Sequence, residues 1–256
     1  MFNVYIFVTK TELTQNEFET LLHYVAPEKQ KRIKRFRFFR DAQNCLLGEV
    51  LARVEICRST GLNMKQLEFA VGYYGKPFLA NDPRVQFNIS HAGCYVACAV
   101  SDEPVGIDIE LIKHMKPNIA KRFFTTNETA YIIADDHARR FYEVWTKKES
   151  RIKWEGKGLH KPLRFFSVFD SAEQEAIFYH MVFYNGEAIC HVCSKKRDKL
   201  SVRIIDTDIV MQHIKQLCRP RNNGGKQCPR CPTLELALVR EVSLNPQNRP
   251  LALTIF

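Results

Sequence analysis

The sequence predicts a mixed α/β protein, in which short strand-like runs are interspersed with helices. Three observations carry that prediction. Runs such as Asn3 to Val8 and Val105 to Glu110 are short, apolar and bounded by turn residues, the pattern of strands. Two longer segments, Asp41 to Thr60 and Arg139 to Trp154, place apolar residues at helical spacing. Glycines stand where those two helices should stop, at Gly61 and Gly156. With 256 residues, 45% hydrophobic and 26% charged, the chain has the ordinary make-up of a globular protein. It is long enough for one large core or two smaller halves.

In order, Asn3 to Val8 is the first strand. Thr14 with Glu17 has the spacing of a capping box and opens a helix. Pro27 suits the first turn of a second helix, which runs into a basic segment containing Lys29, Lys31, Arg32, Lys34, Arg35, Arg37 and Arg40. Phe36, Phe38 and Phe39 are mixed into it. Three readings stay open for this run: nucleic-acid stacking, a phosphate-binding patch, and a solvated helix face with Ile33 and Phe36 turned inward. The long helix from Asp41 follows, with Leu46, Leu47, Val50, Leu51 and Val54 on its apolar side. Leu67 to Val71 reads as a strand and Gly75-Lys76-Pro77 as a turn. Val85 to Ile89 is a strand that ends at Ser90-His91-Ala92-Gly93, just before the strand Tyr95 to Val100. A Ser-His pair can be nucleophile and base, but no orienting acid or nucleophile elbow lies nearby. Phosphate binding by Ser90 and His91 suits the basic chain better.

Val105-Gly106-Ile107-Asp108-Ile109-Glu110 is the most informative stretch. In a strand, Ile107, Ile109 and Leu111 point one way and Asp108 and Glu110 the other. The two carboxylates then stand roughly 6–7 Å apart on one face. Like charges that close raise each other's pKa unless a cation sits between them. The stretch itself contains no Lys or Arg. Oxygen-only ligands favour Mg²⁺, which takes one or two carboxylates and completes its shell with water and substrate phosphate. An edge strand carrying two solvated acids is the alternative.

Further on, Thr125 with Glu128 is a second capping-box spacing, which alone explains Glu128. In the helix from Arg139, Trp145, Glu149 and Ile152 or Lys153 share a face. Beside Trp145, a partly buried Glu149 becomes a third candidate metal carboxylate; on the surface it would only pair with Lys153. Phe165–Phe169, Ile177–Phe183, Ala188–Ser194 and Leu200–Ile205 read as strands of an antiparallel meander closing the second half, with a hairpin at Asn185-Gly186. Cys190/Cys193 and Cys228/Cys231 invite a zinc-ribbon reading, but in a regular strand the first pair points to opposite faces. Arg219 to Phe256 is richer in Pro, Asn and Arg and is expected to be a loosely held tail.

Nine scattered cysteines suit reduced thiols. No apolar run is long enough to span a membrane, and Met1 to Lys10 lacks the features of a signal peptide, so a cytoplasmic location is expected. The net charge of +10 implies anionic partners of some kind.

With these residues in place, the chain resembles the 4′-phosphopantetheinyl transferases of the surfactin-synthetase-activating (Sfp) type from about Val4 to Leu217. The matching motifs run in order: Tyr74-Gly75-Lys76-Pro77, Phe87-Asn88-Ile89-Ser90-His91-Ala92-Gly93, Val105 to Glu110, Arg122-Phe123-Phe124 with Glu128, Trp145-Thr146-Lys147-Lys148-Glu149-Ser150 with Lys153, and Gly156-Lys157-Gly158-Leu159. Each is weak alone; the ordered series is specific. The resemblance implies two similar α/β halves related by a pseudo-two-fold axis, with coenzyme A between them. The corresponding division is 1–104, 105–218 and the tail 219–256.

It also implies the reaction: a serine of an apo acyl or peptidyl carrier protein attacks the β-phosphate of coenzyme A, and 3′,5′-ADP leaves. By that resemblance Asp108, Glu110 and Glu149 hold Mg²⁺, with Mn²⁺ as an alternative, and Lys153 neutralises phosphate charge. Glu149 is the first candidate for the base and Glu128 the second. Lys29, Arg32 and His91 hold the 3′-phosphate, with Cys45 beside it; Gly75, Lys76 and Pro77 line the adenine side; Ser90 reaches the pyrophosphate. Cys45 and Ala92 stand where the family often has hydroxyl residues. The expected enzyme is a monomer with no nucleic-acid or membrane partner, whose carrier contacts lie near Lys161 to Phe183. The rival is a basic nucleic-acid-binding protein without activity, which leaves Asp108, Glu110 and Glu149 without a purpose. A coenzyme-binding relative without turnover is the third reading.

Overall fold

The computed structural model describes residues 2–9, 11–116, 118–158, 161–169, 176–183, 187–205, 238–244 and 251–253. The first strand, β1 (Phe2–Val8), is the middle of a five-stranded sheet. Its neighbours are β5 (Tyr95–Ser101), antiparallel, and β9 (Leu200–Ile205), parallel. The outer strands are β4 (Gln86–Ala92) and β10 (Leu238–Leu244). A second sheet has the order β11 (Leu251–Leu253), β7 (Ile177–Phe183), β8 (Ala188–Ser194) and β6 (Val105–Leu111). A small hairpin, β2 (Phe69–Val71) with β3 (Pro77–Leu79), stands apart.

The two large sheets face each other. Val4 and Ile6 of β1, Ala97 and Ala99 of β5, and Leu200, Val202 and Ile204 of β9 share one buried cluster with Ile107 and Ile109 of β6 and Cys190 and Val192 of β8. Each sheet's outer face carries one long helix. On the first it is α3 (Phe39–Thr60), supported by α1 (Gln15–Leu22) and α2 (Pro27–Ile33). On the second it is α6 (His137–Glu155), packed with α4 (Asn118–Phe123) and α5 (Thr126–Ala134). The halves therefore share a plan of sheet plus long helix, the mixed α/β arrangement expected. No helix among the described residues is long and apolar enough to cross a membrane.

Local chemistry accounts for these elements. Both capping boxes form: Thr14 with Glu17, and Thr125 with Glu128. Both long helices stop at a left-handed glycine, Gly61 with φ 74° and Gly156 with φ 70°, where a side chain would be strained.

Four expectations are corrected. The meander is broken: β7 and β8 pair antiparallel, but β9 crosses to the first sheet and runs parallel to β1. Residues 165–169 are not a strand; Leu163–Phe165 is a 3₁₀ turn, and the Lys148 ammonium takes the backbone carbonyls of Leu163 and Phe166. The strand ending at Ile89 continues to Ala92, so Ser90 and His91 belong to β4. Two pieces of the supposedly loose tail are strands, β10 on β9 and β11 on β7. Asn185-Gly186, Leu159 and Cys228-Cys231 lie outside the described residues.

Candidate active site

The site forms where the edges of the two sheets meet. Beyond β8, the other edge of β6 has backbone groups with no strand partner, and side chains take them. The Ile107 N–H donates to Asn88 Oδ1 at 2.8 Å and the Ile109 N–H to Ser90 Oγ at 3.3 Å, both from β4. The Val105 carbonyl accepts from Lys76 Nζ at 2.9 Å, and the Ile107 carbonyl from Lys153 Nζ at 3.1 Å. Residues from the first half and from α6 thus join the two sheets through side chains.

The strand alternates as expected. Ile107 and Ile109 are fully buried between the sheets, with Leu111 packed against the same cluster. Gly106 and Asp108, on the other face, lie under α6. A Cβ at Gly106 would stand 1.9 Å from the Ser150 carbonyl oxygen and 2.4 Å from the Trp154 nitrogen. The helix backbone therefore rests directly on the strand, and Glu149 and Lys153 of α6 meet the acidic face.

Lys153 Nζ lies 2.7 Å from Asp108 Oδ1 and donates to Ser90 Oγ at 3.0 Å. The Ser90 hydroxyl in turn donates to Asp108 Oδ1 at 3.1 Å. Asp108 is 4% exposed, and its Oδ2 accepts no hydrogen bond; the buried Oε1 of Glu149 is equally unpartnered. Burial raises the pKa of Asp108 against the pull of Lys153 and Ser90. Glu110 is pushed up to about 7 by burial, with repulsion from Asp108 and Glu149 adding to it. Glu149 is pushed up to about 7 by burial and by Asp108. Lys153 acts on all three carboxylates and Lys113 on Glu110 besides, yet burial still raises each of them, and the face is short of positive charge.

That deficit fits a divalent cation. Two buried carboxylate oxygens without hydrogen-bond partners would suit it as ligands, and an all-oxygen set matches a hard ion. Among the described residues no three His, Cys, Asp or Glu side chains are gathered closely enough to hold an ion as they stand. Mg²⁺ does not require such a cage, since one or two carboxylates suffice when substrate phosphate and water complete the shell.

The cationic side lies next to this face. His91 follows Ser90 on β4; its pKa is lowered by burial and by Lys153, with Lys29 adding to the effect and Asp41 opposing it. The Cys45 thiol on α3 is pushed up by burial, while Lys29 and Arg32 of α2 pull it down. Lys29, Arg32, Cys45 and His91 therefore share one electrostatic neighbourhood. Lys29 Nζ is held 3.1 Å from the buried Glu49 Oε2, a contact that sequence reading missed.

Two predicted site residues make bonds that hold the fold together. Glu128 is fully buried: its Oε2 pairs with Lys148 Nζ at 2.7 Å and accepts the Thr125 N–H, and its Oε1 accepts the Val168 N–H. Those bonds give it a structural role. Lys76 turns its ammonium inward to the carbonyls of Val105 and Trp154. Gly75, with φ 88°, makes the tight turn beside it. Asn88, which holds the Ile107 N–H, and Gly106, which seats α6, are site residues that motif spacing alone does not single out. Gly106 had a legible signal, because a glycine inside a strand marks a close backbone approach. Cys190 and Cys193 are both fully buried in β8.

Comparison with known proteins assigns the class. A family model described as the N-terminal part of 4′-phosphopantetheinyl transferase matches residues 11–103, and one described as the 4′-phosphopantetheinyl transferase superfamily matches residues 104–210. The chain is 43% identical over 159 residues to the 4′-phosphopantetheinyl transferase Sfp of Bacillus subtilis, covering 61% of this chain and 71% of that protein. It is 32% identical over 219 residues to the 4′-phosphopantetheinyl transferase gsp of Aneurinibacillus migulanus, covering 81% and 90%. The mouse L-aminoadipate-semialdehyde dehydrogenase-phosphopantetheinyl transferase is 32% identical over 161 residues, covering 56% and 52%. The chain is a phosphopantetheinyl transferase, and it belongs to the Sfp type of that family.

Proposed function

We propose that this enzyme moves the 4′-phosphopantetheine group of coenzyme A onto a serine of an apo acyl or peptidyl carrier protein, with Mg²⁺ at Asp108, Glu110 and Glu149, releasing 3′,5′-ADP. The observation that carries the proposal is the acidic face of β6 under α6. Its unpartnered buried carboxylate oxygens stand beside Lys153, and a cationic group of residues adjoins them. In-line attack on a pyrophosphate needs positioning and charge neutralisation above all. The ion, when bound, supplies Lewis-acid stabilisation of the phosphate oxygens.

The protein's own groups do the rest. Lys153 is placed by three hydrogen bonds and can shift from Asp108 towards a phosphate oxygen as negative charge develops. Glu149, whose buried Oε1 has no hydrogen-bond partner, would accept the serine proton, directly or through a water. Lys29, Arg32 and His91, with Cys45 beside them, would hold the 3′-phosphate. The main chain of Gly75 to Pro77 would line the adenine side, and Ser90 would orient Lys153 towards the pyrophosphate. The net charge of +10 favours steering of acidic carrier domains. Phe165 and Phe169 are 69% and 39% exposed beside Arg164, within the span proposed for carrier contact. The enzyme would work as a monomer in the cytoplasm.

The test is intact-mass spectrometry of an apo peptidyl carrier domain incubated with the protein, coenzyme A and Mg²⁺. A phosphopantetheine mass gain that is lost with EDTA or with Asp108→Ala is expected. No gain with any of several carriers, or a gain untouched by EDTA, overturns the proposal.

A further inference from the structure

We infer that Lys76 is a positioning residue, tying the turn that precedes β3 to both elements that carry the acidic site. Its ammonium donates to the Val105 carbonyl at 2.9 Å and to the Trp154 carbonyl at 3.4 Å. Val105 opens β6, three residues before Asp108. Trp154 lies in the last turn of α6, five residues after Glu149 and next to Lys153. One charge therefore joins the strand bearing two carboxylates to the helix bearing the third and the lysine.

The place suits a cation. The free carbonyls at a helix C-terminus carry partial negative charge, and the edge carbonyl of β6 has no strand partner. The Lys76 stem also reaches Gly156, whose missing Cβ would stand 3.5 Å from Lys76 Cδ. Burial brings the ammonium down to about 8, as befits a charge enclosed by the protein. Gly106 sets how closely α6 can approach β6, and Lys76 clamps the pair at that spacing.

The catalytic consequence rests on the reading of Asp108, Glu110 and Glu149 as the reacting-phosphate site, whereas the clamp itself does not. The test compares Lys76→Met, which keeps the stem and removes the donors, with Lys76→Arg, which keeps donors and charge. In metal-free protein, Lys76→Met is expected to speed hydrogen exchange several-fold at amides of Val105–Ile109 and of the last turn of α6, while β1 and β5 stay protected. In transfer assays it should lower kcat by on the order of tenfold to a hundredfold, the usual effect of misplacement by about 1 Å, with little change in the coenzyme KM. Lys76→Arg should recover part of both effects.

A rise in coenzyme KM at unchanged kcat and unchanged exchange would instead make Lys76 a lining residue and overturn the inference. If Lys76→Met fails to fold, Lys76→Gln carries the same comparison, and wild-type exchange in β6 and α6 for that variant overturns it. If the wild type transfers nothing, the proposed function fails, while the exchange measurement still decides the clamp.

Discussion

Replacing Gly106 by alanine tests the contact on which the site's geometry depends. The new methyl would stand 1.9 Å from the Ser150 carbonyl oxygen, 2.4 Å from the Trp154 nitrogen and 3.0 Å from the Trp154 Cα. Carbon–oxygen contacts settle at roughly 3.3–3.6 Å. The helix must therefore retreat from β6 by about 1.4 Å, because the obstructing atoms are backbone and cannot rotate away. Overpacking of this kind costs about 1–3 kcal/mol, and a backbone obstacle places Gly106→Ala near the top of that range. The same retreat draws Glu149 and Lys153 away from Asp108, and misplacement by about 1 Å can lower turnover on the order of a hundredfold. Urea unfolding reads the first effect and the transfer rate reads the second. Gly48→Ala is the control: its methyl meets only side chains, Ile89 Cγ2 at 2.7 Å and Val96 Cγ1 at 3.3 Å. There the helical gain of about 1 kcal/mol offsets part of the crowding against the stiff, β-branched Ile89, so a smaller loss of stability than at Gly106, with turnover kept, is expected. A Gly106→Ala protein within about 0.5 kcal/mol of wild type, and equally active, would refute the direct seating of α6 on β6.

Two further outcomes follow from buried charge. Glu128→Gln leaves Lys148 as an uncompensated buried ammonium and should destabilise the protein by about 3–5 kcal/mol in urea unfolding, while the folded fraction keeps turnover within a few-fold of wild type. A stable but inactive Glu128→Gln protein would restore Glu128 as the base. In metal-free protein, Glu110 and Glu149 both titrate near 7, above the ordinary 4.5. A raised folded-state pKa means that the folded state binds the extra protons, so stability should fall as pH rises from about 4.5 to 7. After allowance for solvent screening, the two together should account for about 1–2 kcal/mol. Thermal melts in EDTA across pH 5 to 8 check this, and Mg²⁺ should raise the melting temperature more at pH 7.5 than at pH 5.5. A flat metal-free profile with no Mg²⁺ effect would contradict it.

Much of the fold was legible because its signals are local. The alternation of Ile107, Asp108 and Ile109 set the two faces of β6, and the capping boxes and terminal glycines set the helix ends. What was not legible depends on partners far along the chain. Nothing within Leu200–Ile205 says that its Leu200, Val202 and Ile204 will pack between the two sheets beside β1 rather than follow β8. The segment after Pro162 looks like a strand by composition, yet its carbonyls are taken by Lys148, a residue more than a dozen positions earlier. Among the site residues, the carboxylates could be read from spacing and their apolar surroundings. The inward turn of Lys76 and the pairing of Lys29 with Glu49 could not, because both need the packed structure to be visible.

The most direct test of the central claim is a titration of the protein with Mn²⁺, read by the electron paramagnetic resonance signal of the free ion, with coenzyme A present. The account predicts one bound ion per chain that Mg²⁺ displaces, with affinity lowered at least tenfold by Glu149→Gln or Asp108→Asn. Binding indifferent to both substitutions, or no binding at all, would contradict the assignment of the acidic face of β6 and α6 as the metal-dependent centre.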